Sequence, residues 1–312
     1  MEELLRDRRL LYVTGKGGVG KTTVAASLGL AAAAAGRRTI VCEVAEQDRV
    51  SRAFRREGVQ RETEVQLAEN LWAISIDPRR ALQEWLGRQL GGPALRILSR
   101  SSAFQYFVAA APGAKELMTI AKVWELAQLS RWDARNRTYD LVVVDAPASG
   151  HGMAMLTTPR TFGEIARVGP VRRQAGKVAD LLSDPARTAY VAVAMPEEMP
   201  VNETLDLERR LPDAVGLGLH AIVVNGMWPE RFSTADAERL RELARRDGHD
   251  PAAAATLRAA LTEHHRARAQ RSHLRRLRRQ ATARVVTLPF VFESELGLPE
   301  YERLAADLAR RL

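Results

Sequence analysis

Gly15-Lys16-Gly17-Gly18-Val19-Gly20-Lys21-Thr22-Thr23 is the stretch that decides the fold. A glycine, four residues, then Gly-Lys-Thr is the spacing of a phosphate-binding loop. The flanks agree with it. Leu10-Leu11-Tyr12-Val13 reads as a short buried strand, and Thr22 to Ala35 as an Ala/Leu-rich helix. Such a loop works because glycines let backbone N–H groups curl round a polyphosphate, while the helix N-terminus adds partial positive charge. Lys21 is placed to reach the β- and γ-phosphates, and the Thr22 hydroxyl to ligate Mg²⁺. The expected ligand is therefore Mg·ATP, cradled by Gly15, Lys16, Gly17, Gly18, Val19, Gly20, Lys21, Thr22 and Thr23.

Outward from the loop, strand-like apolar runs recur at 10–14, 39–43, 71–76, 139–145, 188–194, 220–225 and 284–288, with helical stretches between them. This alternation predicts an α/β fold, a mostly parallel doubly wound sheet of the P-loop NTPase kind. The interval from Asp77 to Asn136 is too long for one crossover. Ala94–Ala111 and Lys115–Ser130 read as helices within it, split by Pro112-Gly113, and another helical piece follows Met153. A helical subdomain over about 78–136 and 152–186 is expected, mounted on one nucleotide-binding domain spanning 1–312. Leu141-Val142-Val143-Val144-Asp145 is a buried strand ending in an acid, the pattern that sets a carboxylate, Asp145, beside Mg²⁺.

Composition narrows the setting. The 312 residues carry a net charge of +9, but 47 Lys+Arg against 38 Asp+Glu in an Ala/Arg-rich chain reads as compositional bias, so nucleic acid is not the expected partner. The one cysteine, Cys42, sits in an apolar strand-like run. No disulfide within the chain can form, which points to a reducing cytoplasm. No apolar run approaches the ~18 residues of a membrane span, and the charged N-terminus is unlike a signal peptide. The Arg/His-rich run at 257–281 lacks acidic or cysteine partners at ligand spacing and reads as a solvated helix face. Tyr301, Leu304, Leu308 and Leu312 have helical spacing, as expected for a helix packed on the sheet.

Several motifs together resemble a family. Lys16, directly after the first glycine, makes the loop the deviant form of MinD, ParA, the nitrogenase iron protein and the ArsA/GET ATPases. Only five lysines occur in the chain, and two lie in this loop. Asp145-Ala146-Pro147-Ala148-Ser149-Gly150-His151 is similar to the ArsA/GET switch Asp-Thr-Ala-Pro-Thr-Gly-His, with Asp, Gly and His at the same spacing. Leu71 to Pro78, Pro112-Gly113 with Glu116, Pro196-Glu197 through Glu203-Thr204, and Ile222 to Asn225 resemble further segments of that family. The resemblance implies a dimeric ATPase, as a homodimer or with a paralogue. In it Lys16 crosses to the partner's nucleotide, Gly150 senses the γ-phosphate, Asn225 reads adenine, and Pro289-Phe290 closes over the purine. The helical surface would hold a hydrophobic or membrane-protein client. Phe104, Phe107, Met118, Val123, Trp124, Met153 and Met155 are its candidate lining, with helical-subdomain core the competing and favoured reading of the same stripe.

Departures from the family pattern carry information too. The first-switch aspartate that positions the attacking water is Ala45 here. Alanine cannot orient or deprotonate water. Either Glu43, Glu46 or Asp48 replaces it, Glu46 being preferred, or the switch binds ATP and hydrolyses it slowly. A single cysteine excludes the family's Cys-x-x-Cys zinc site and the thiolate cluster that would bind arsenite. Two other functions compete with an ATPase gating a partner surface: a nucleotide-binding subunit paired with an active paralogue, and a ParA/MinD-like positional switch.

Overall fold

The computed structural model describes residues 7–44, 49–54, 63–90, 113–133, 136–166, 168–245 and 250–312. Eight strands form one sheet in the order β3-β4-β2-β5-β1-β6-β7-β8. They are β1 (Leu10–Gly15), β2 (Thr39–Val44), β3 (Val65–Ala68), β4 (Leu71–Ile76), β5 (Leu141–Asp145), β6 (Thr188–Ala194), β7 (Ala221–Met227) and β8 (Arg284–Pro289). All neighbours run parallel except the β3/β4 pair. Seven strands fall on the expected runs. The edge strand β3 is an addition. It has four residues and one buried side chain, too short and too polar to stand out in a pattern search.

The parallel strands are apolar on both faces because helices cover both. Along β1, Leu10 and Tyr12 face one layer while Leu11 and Val13 face the other. The second layer is α1 (Lys21–Ala34), the short α2 (Arg49–Ala53) and the C-terminal α10 (Leu298–Arg311). The first holds α4 (Ala114–Leu126), α5 (Ser149–Ile165), α6 (Pro170–Leu182), α7 (Glu198–Val215) and α9 (Pro251–Gln280). Helix α3 (Pro78–Leu90) adds Ala81 to a small separate cluster with Leu117, Met118 and Ala175; α8 (Thr234–Ala244) packs on α9.

Met118, Val123, Met153 and Met155 of the apolar stripe are all buried, so the core reading of these four holds, and they line no open groove. Trp124 packs partly buried against the sheet core. Phe104 and Phe107 lie outside the described residues. Tyr301, Leu304, Leu308 and Leu312 pack on the sheet as the spacing implies. The Arg/His-rich run needs a correction. His264, Ala267, Gln270, Leu274 and Leu277 form a buried stripe on α9, so only its other side is solvated. Stripe members recur every three or four residues, which frequent arginines conceal. Among the described residues no helix is long and apolar enough to cross a membrane.

Strand order also locates the crevice. β1 lies between β5 and β6; the chain leaves it towards β2 on one side and later continues through β6, β7 and β8 on the other. Ligands of open α/β sheets bind beyond the carboxyl ends of strands at such a reversal. The glycine loop begins at the end of β1.

Candidate nucleotide site

The loop has the backbone its glycines permit. Gly15, Gly18 and Gly20 have φ of 145°, 83° and 88°, which L side chains rarely adopt. At two of them space is closed as well: a Cβ on Gly15 would collide with the Val193 carbonyl, and one on Gly20 with the Asn225 amide. Gly20 caps α1 without a side-chain hydrogen bond. The first-turn N–H groups of this helix therefore have no intrahelical acceptor and point outwards, the arrangement that favours an anion.

Three polar groups converge beneath the loop. Thr22 Oγ1 donates to Asp145 Oδ2 at 2.6 Å. Lys21 Nζ donates to the Lys16 carbonyl at 2.9 Å, which bends the side chain back over the loop. Asp145 Oδ1 is buried with no hydrogen-bond partner among the described residues. Burial pushes the Asp145 carboxyl up, opposed by Thr22, Lys21 and Arg49; burial likewise pulls the Lys21 ammonium down, opposed by Asp145. A buried carboxylate oxygen without a donor costs free energy unless something outside the chain meets it. A hydroxyl and a carboxylate side by side are the hard oxygen donors that Mg²⁺ accepts, so Thr22 and Asp145 fit the ion.

Lys16 is engaged within its own chain. Its Nζ lies 2.8 Å from Glu203 Oε1, and Ser149 Oγ donates to the other oxygen, Oε2, at 3.3 Å. Glu203 of α7 thus joins the loop lysine to the first residue of α5. Gly150 is the next residue, exposed, with open space where a Cβ would stand. The C-terminal helix α10 packs on α1, and its Tyr301 ring lies on Phe54 at 5.4 Å, so this helix buttresses the loop from behind.

On the other side, Asn225 ends the regular part of β7. Its Nδ2 donates to the Val19 carbonyl at 3.1 Å, leaving Oδ1 and one N–H to meet a ligand. Phe290, just past Pro289, packs on Trp228 at 5.3 Å and on Phe292 at 4.8 Å. Ala45, Glu46 and Asp48 lie outside the described residues. Glu43, named beside them, is buried, and its Oε1 accepts the Val50 N–H at 3.1 Å, where it holds the start of α2.

The sequence model of the anion-transporting ATPase family matches residues 8–178 and 164–247. The ATPase BagA of Mycobacterium tuberculosis is 32% identical over 240 residues, covering 75% of this chain and 69% of that protein. This chain belongs to the ArsA/GET family of ATPases. The ATPase ARSA2 of Chlamydomonas reinhardtii is 28% identical over 250 residues, covering 77% of this chain and 65% of its own length. The ATPase GET3 of Mycosarcoma maydis is 25% identical over 267 residues, 74% of this chain and 76% of that one.

For this ArsA/GET chain, the described site residues named from sequence come together at the carboxyl ends of β1, β5, β7 and β8. Four others were missed or left without a role. Glu203 sits in a segment quoted for its resemblance, yet nothing local marks it as the partner of Lys16. Tyr301 was legible only as a packing residue. Arg49 acts electrostatically on Lys21 and Asp145 with no motif to announce it. Gln270 was hidden in the arginine run.

Proposed function

We propose that this protein is a Mg·ATP-dependent ATPase that works as a dimer, its nucleotide state opening and closing a surface built on the helices α3 to α6, taken together as the helical subdomain. The observation that carries the reading is the Thr22–Asp145 pair beneath the glycine loop, with Asp145 Oδ1 unpartnered. In this reading the first-turn amides of α1 and the Lys21 ammonium hold the β- and γ-phosphates. Thr22 and Asp145 hold Mg²⁺, which when bound neutralises charge on the phosphate oxygens. Asn225 orients its free oxygen towards the amino group of adenine, and Phe290 closes over the base.

Hydrolysis transfers the γ-phosphoryl group to water: the new P–O bond forms in line as the bond to the bridging oxygen of ADP breaks. Glu46 positions that water, taking the task of the aspartate that Ala45 replaces. Lys16 supplies positive charge to the phosphoryl group of the partner's nucleotide, leaving Glu203 as the dimer closes. Release of Glu203 then frees Ser149 and the start of α5, which links the γ-phosphate to the helical layer. A hydrophobic or membrane-protein client is the cargo of that surface.

The test is steady-state turnover with size measurement in ATP and in ADP. The wild type turns over and sizes as a dimer in ATP. Lys16→Ala retains ATP binding, loses turnover by about 10³-fold as for an arginine finger removed, and sizes smaller in ATP. Lys16→Ala at the parent rate would remove the trans role, and a wild type without turnover would remove the enzyme.

A further inference from the structure

Beside Asn225 the sheet breaks its own register. The β7/β8 pairing shifts between Val224 and Met227, and Gly226, at φ 74°, turns the strand through the left-handed region. Two backbone groups of this bulge bond to one side chain. Gln270 Nε2 donates to the Gly226 carbonyl at 3.2 Å, and Gln270 Oε1 accepts the Trp228 N–H at 2.8 Å. Gln270 is 3% exposed. Left without partners at that depth, both backbone groups would carry a desolvation cost.

The bulge that Gln270 holds carries both elements next to the loop. On one side it turns Asn225 so that its Nδ2 meets Val19 of the glycine loop. On the other it sets Trp228 against Phe290 and Phe292, each at 5.3 Å, while Phe290 N–H is held by the Met227 carbonyl at 2.9 Å. Arg266, one turn before Gln270 on α9, lies over the Trp228 ring at 4.5 Å and backs the shelf.

We infer that Gln270 is the positioning residue for base selection: its amide fixes the β7 bulge, and through it the orientation of Asn225 and the aromatic shelf, so that adenine is chosen over guanine. This rests on the proposed nucleotide reading of the site. Because one Nδ2 N–H of Asn225 is committed to Val19, the amide is held against flipping, so its Oδ1 acceptor and remaining N–H keep fixed places at the base edge. An acceptor meets the amino group of adenine and repels the carbonyl oxygen of guanine. A primary amide alone offers a donor and an acceptor at this spacing; Glu keeps the Trp228 bond but sets a carboxylate against the Gly226 carbonyl, and Met of similar volume keeps neither bond.

The experiment measures the affinity of the full chain for Mg·ATP, Mg·GTP and Mg·tripolyphosphate, which has no base. The wild type is expected to prefer ATP over both. Gln270→Met is expected to lose about tenfold in ATP affinity, moving it towards GTP, with tripolyphosphate unchanged. Loss of a general fold contact would weaken all three together. A Gln270→Met protein with the wild-type ATP/GTP ratio overturns the inference. So does a uniform loss across the three ligands. If Gln270→Met does not fold, Gln270→Glu carries the same comparison with the Trp228 bond kept. A wild type that binds tripolyphosphate as tightly as ATP overturns base reading by Asn225 and the inference with it. A wild type that binds none of the three removes the nucleotide site itself.

Discussion

Two clusters of buried charge in this molecule use the same residue types to opposite ends. At Arg131 every charge has a partner inside the chain. Arg131 meets Glu125 at 2.5 Å and Glu64 at 2.7 Å and donates to the Arg137 carbonyl; Lys122 meets Glu84 at 2.7 Å and Glu125 at 3.2 Å; Tyr139 donates to the other Glu64 oxygen at 2.7 Å. Among the described residues the glycine loop leaves groups open: Asp145 Oδ1, the first-turn amides of α1, and Lys21, bonded there to a nearby carbonyl. The first cluster closes on itself and ties α4 to the segments before β3 and β5. The second leaves Asp145 Oδ1 without a hydrogen bond or ion pair among the described residues, whereas Glu125 Oε2, which also lacks a hydrogen bond, has Lys122 at 3.2 Å. What separates the clusters is whether a buried carboxylate oxygen meets a charge of the chain.

The largest effect expected from breaking this contrast is at Arg131. Arg131→Met should cost about 3–5 kcal/mol of stability, because it takes a buried charge partner from Glu125, left with Lys122, and from Glu64, left with Tyr139. Chemical denaturation reads this. The cluster also carries a pH signature. Burial alone would raise the Glu125 carboxyl, but Arg131 and Lys122 outweigh it and hold the group below the usual carboxylate range. The stability it contributes is therefore present above the unfolded pKa of about 4.3 and lost as pH falls through the lower folded value. Glu125→Gln should flatten that acid limb.

Next in size, Lys21→Ala should weaken Mg·ATP by ~100-fold or more, about 2.7 kcal/mol, since the phosphates lose their principal cation. Its denaturation midpoint should shift by the equivalent of only about 1 kcal/mol or less, because in the free protein the ammonium bonds one backbone carbonyl, that of Lys16. Calorimetry showing parent affinity would dissolve the distinction between the clusters.

The smallest effect sharpens the boundary between them. Lys16 and Glu203 are an ion pair about a third exposed, 29% and 36%, and such pairs contribute at most about 1 kcal/mol to stability. Glu203→Gln should barely shift the denaturation midpoint. If the pair is released on closing, the variant should form the ATP dimer at lower protein concentration than the parent. A dimerisation constant unmoved by Glu203→Gln would place the pair with the architecture.

Much of this was legible before any coordinates. The glycine loop, the acid ending β5, and seven of the strands are written in contiguous residues, because a loop of positive-φ glycines and a strand of alternating faces are local constraints. Asn225 and Phe290 were legible through resemblance. The rest depends on which strands become neighbours. Glu203 is far from Lys16 in the chain, and nothing in either segment announces the pair; it forms because β6 is placed beside β1 and delivers α7 to the loop. Gln270 looked like one more polar residue among arginines until α9 laid it against the β7 bulge. β3 exists only because β4 offers an edge. The sequence by itself determined the glycine loop and its strand-to-helix setting, since these are carried by consecutive residues. Only the tertiary structure decided which distant side chains answer it, because crossover connections set the strand order, and strand order sets which buried polar groups meet.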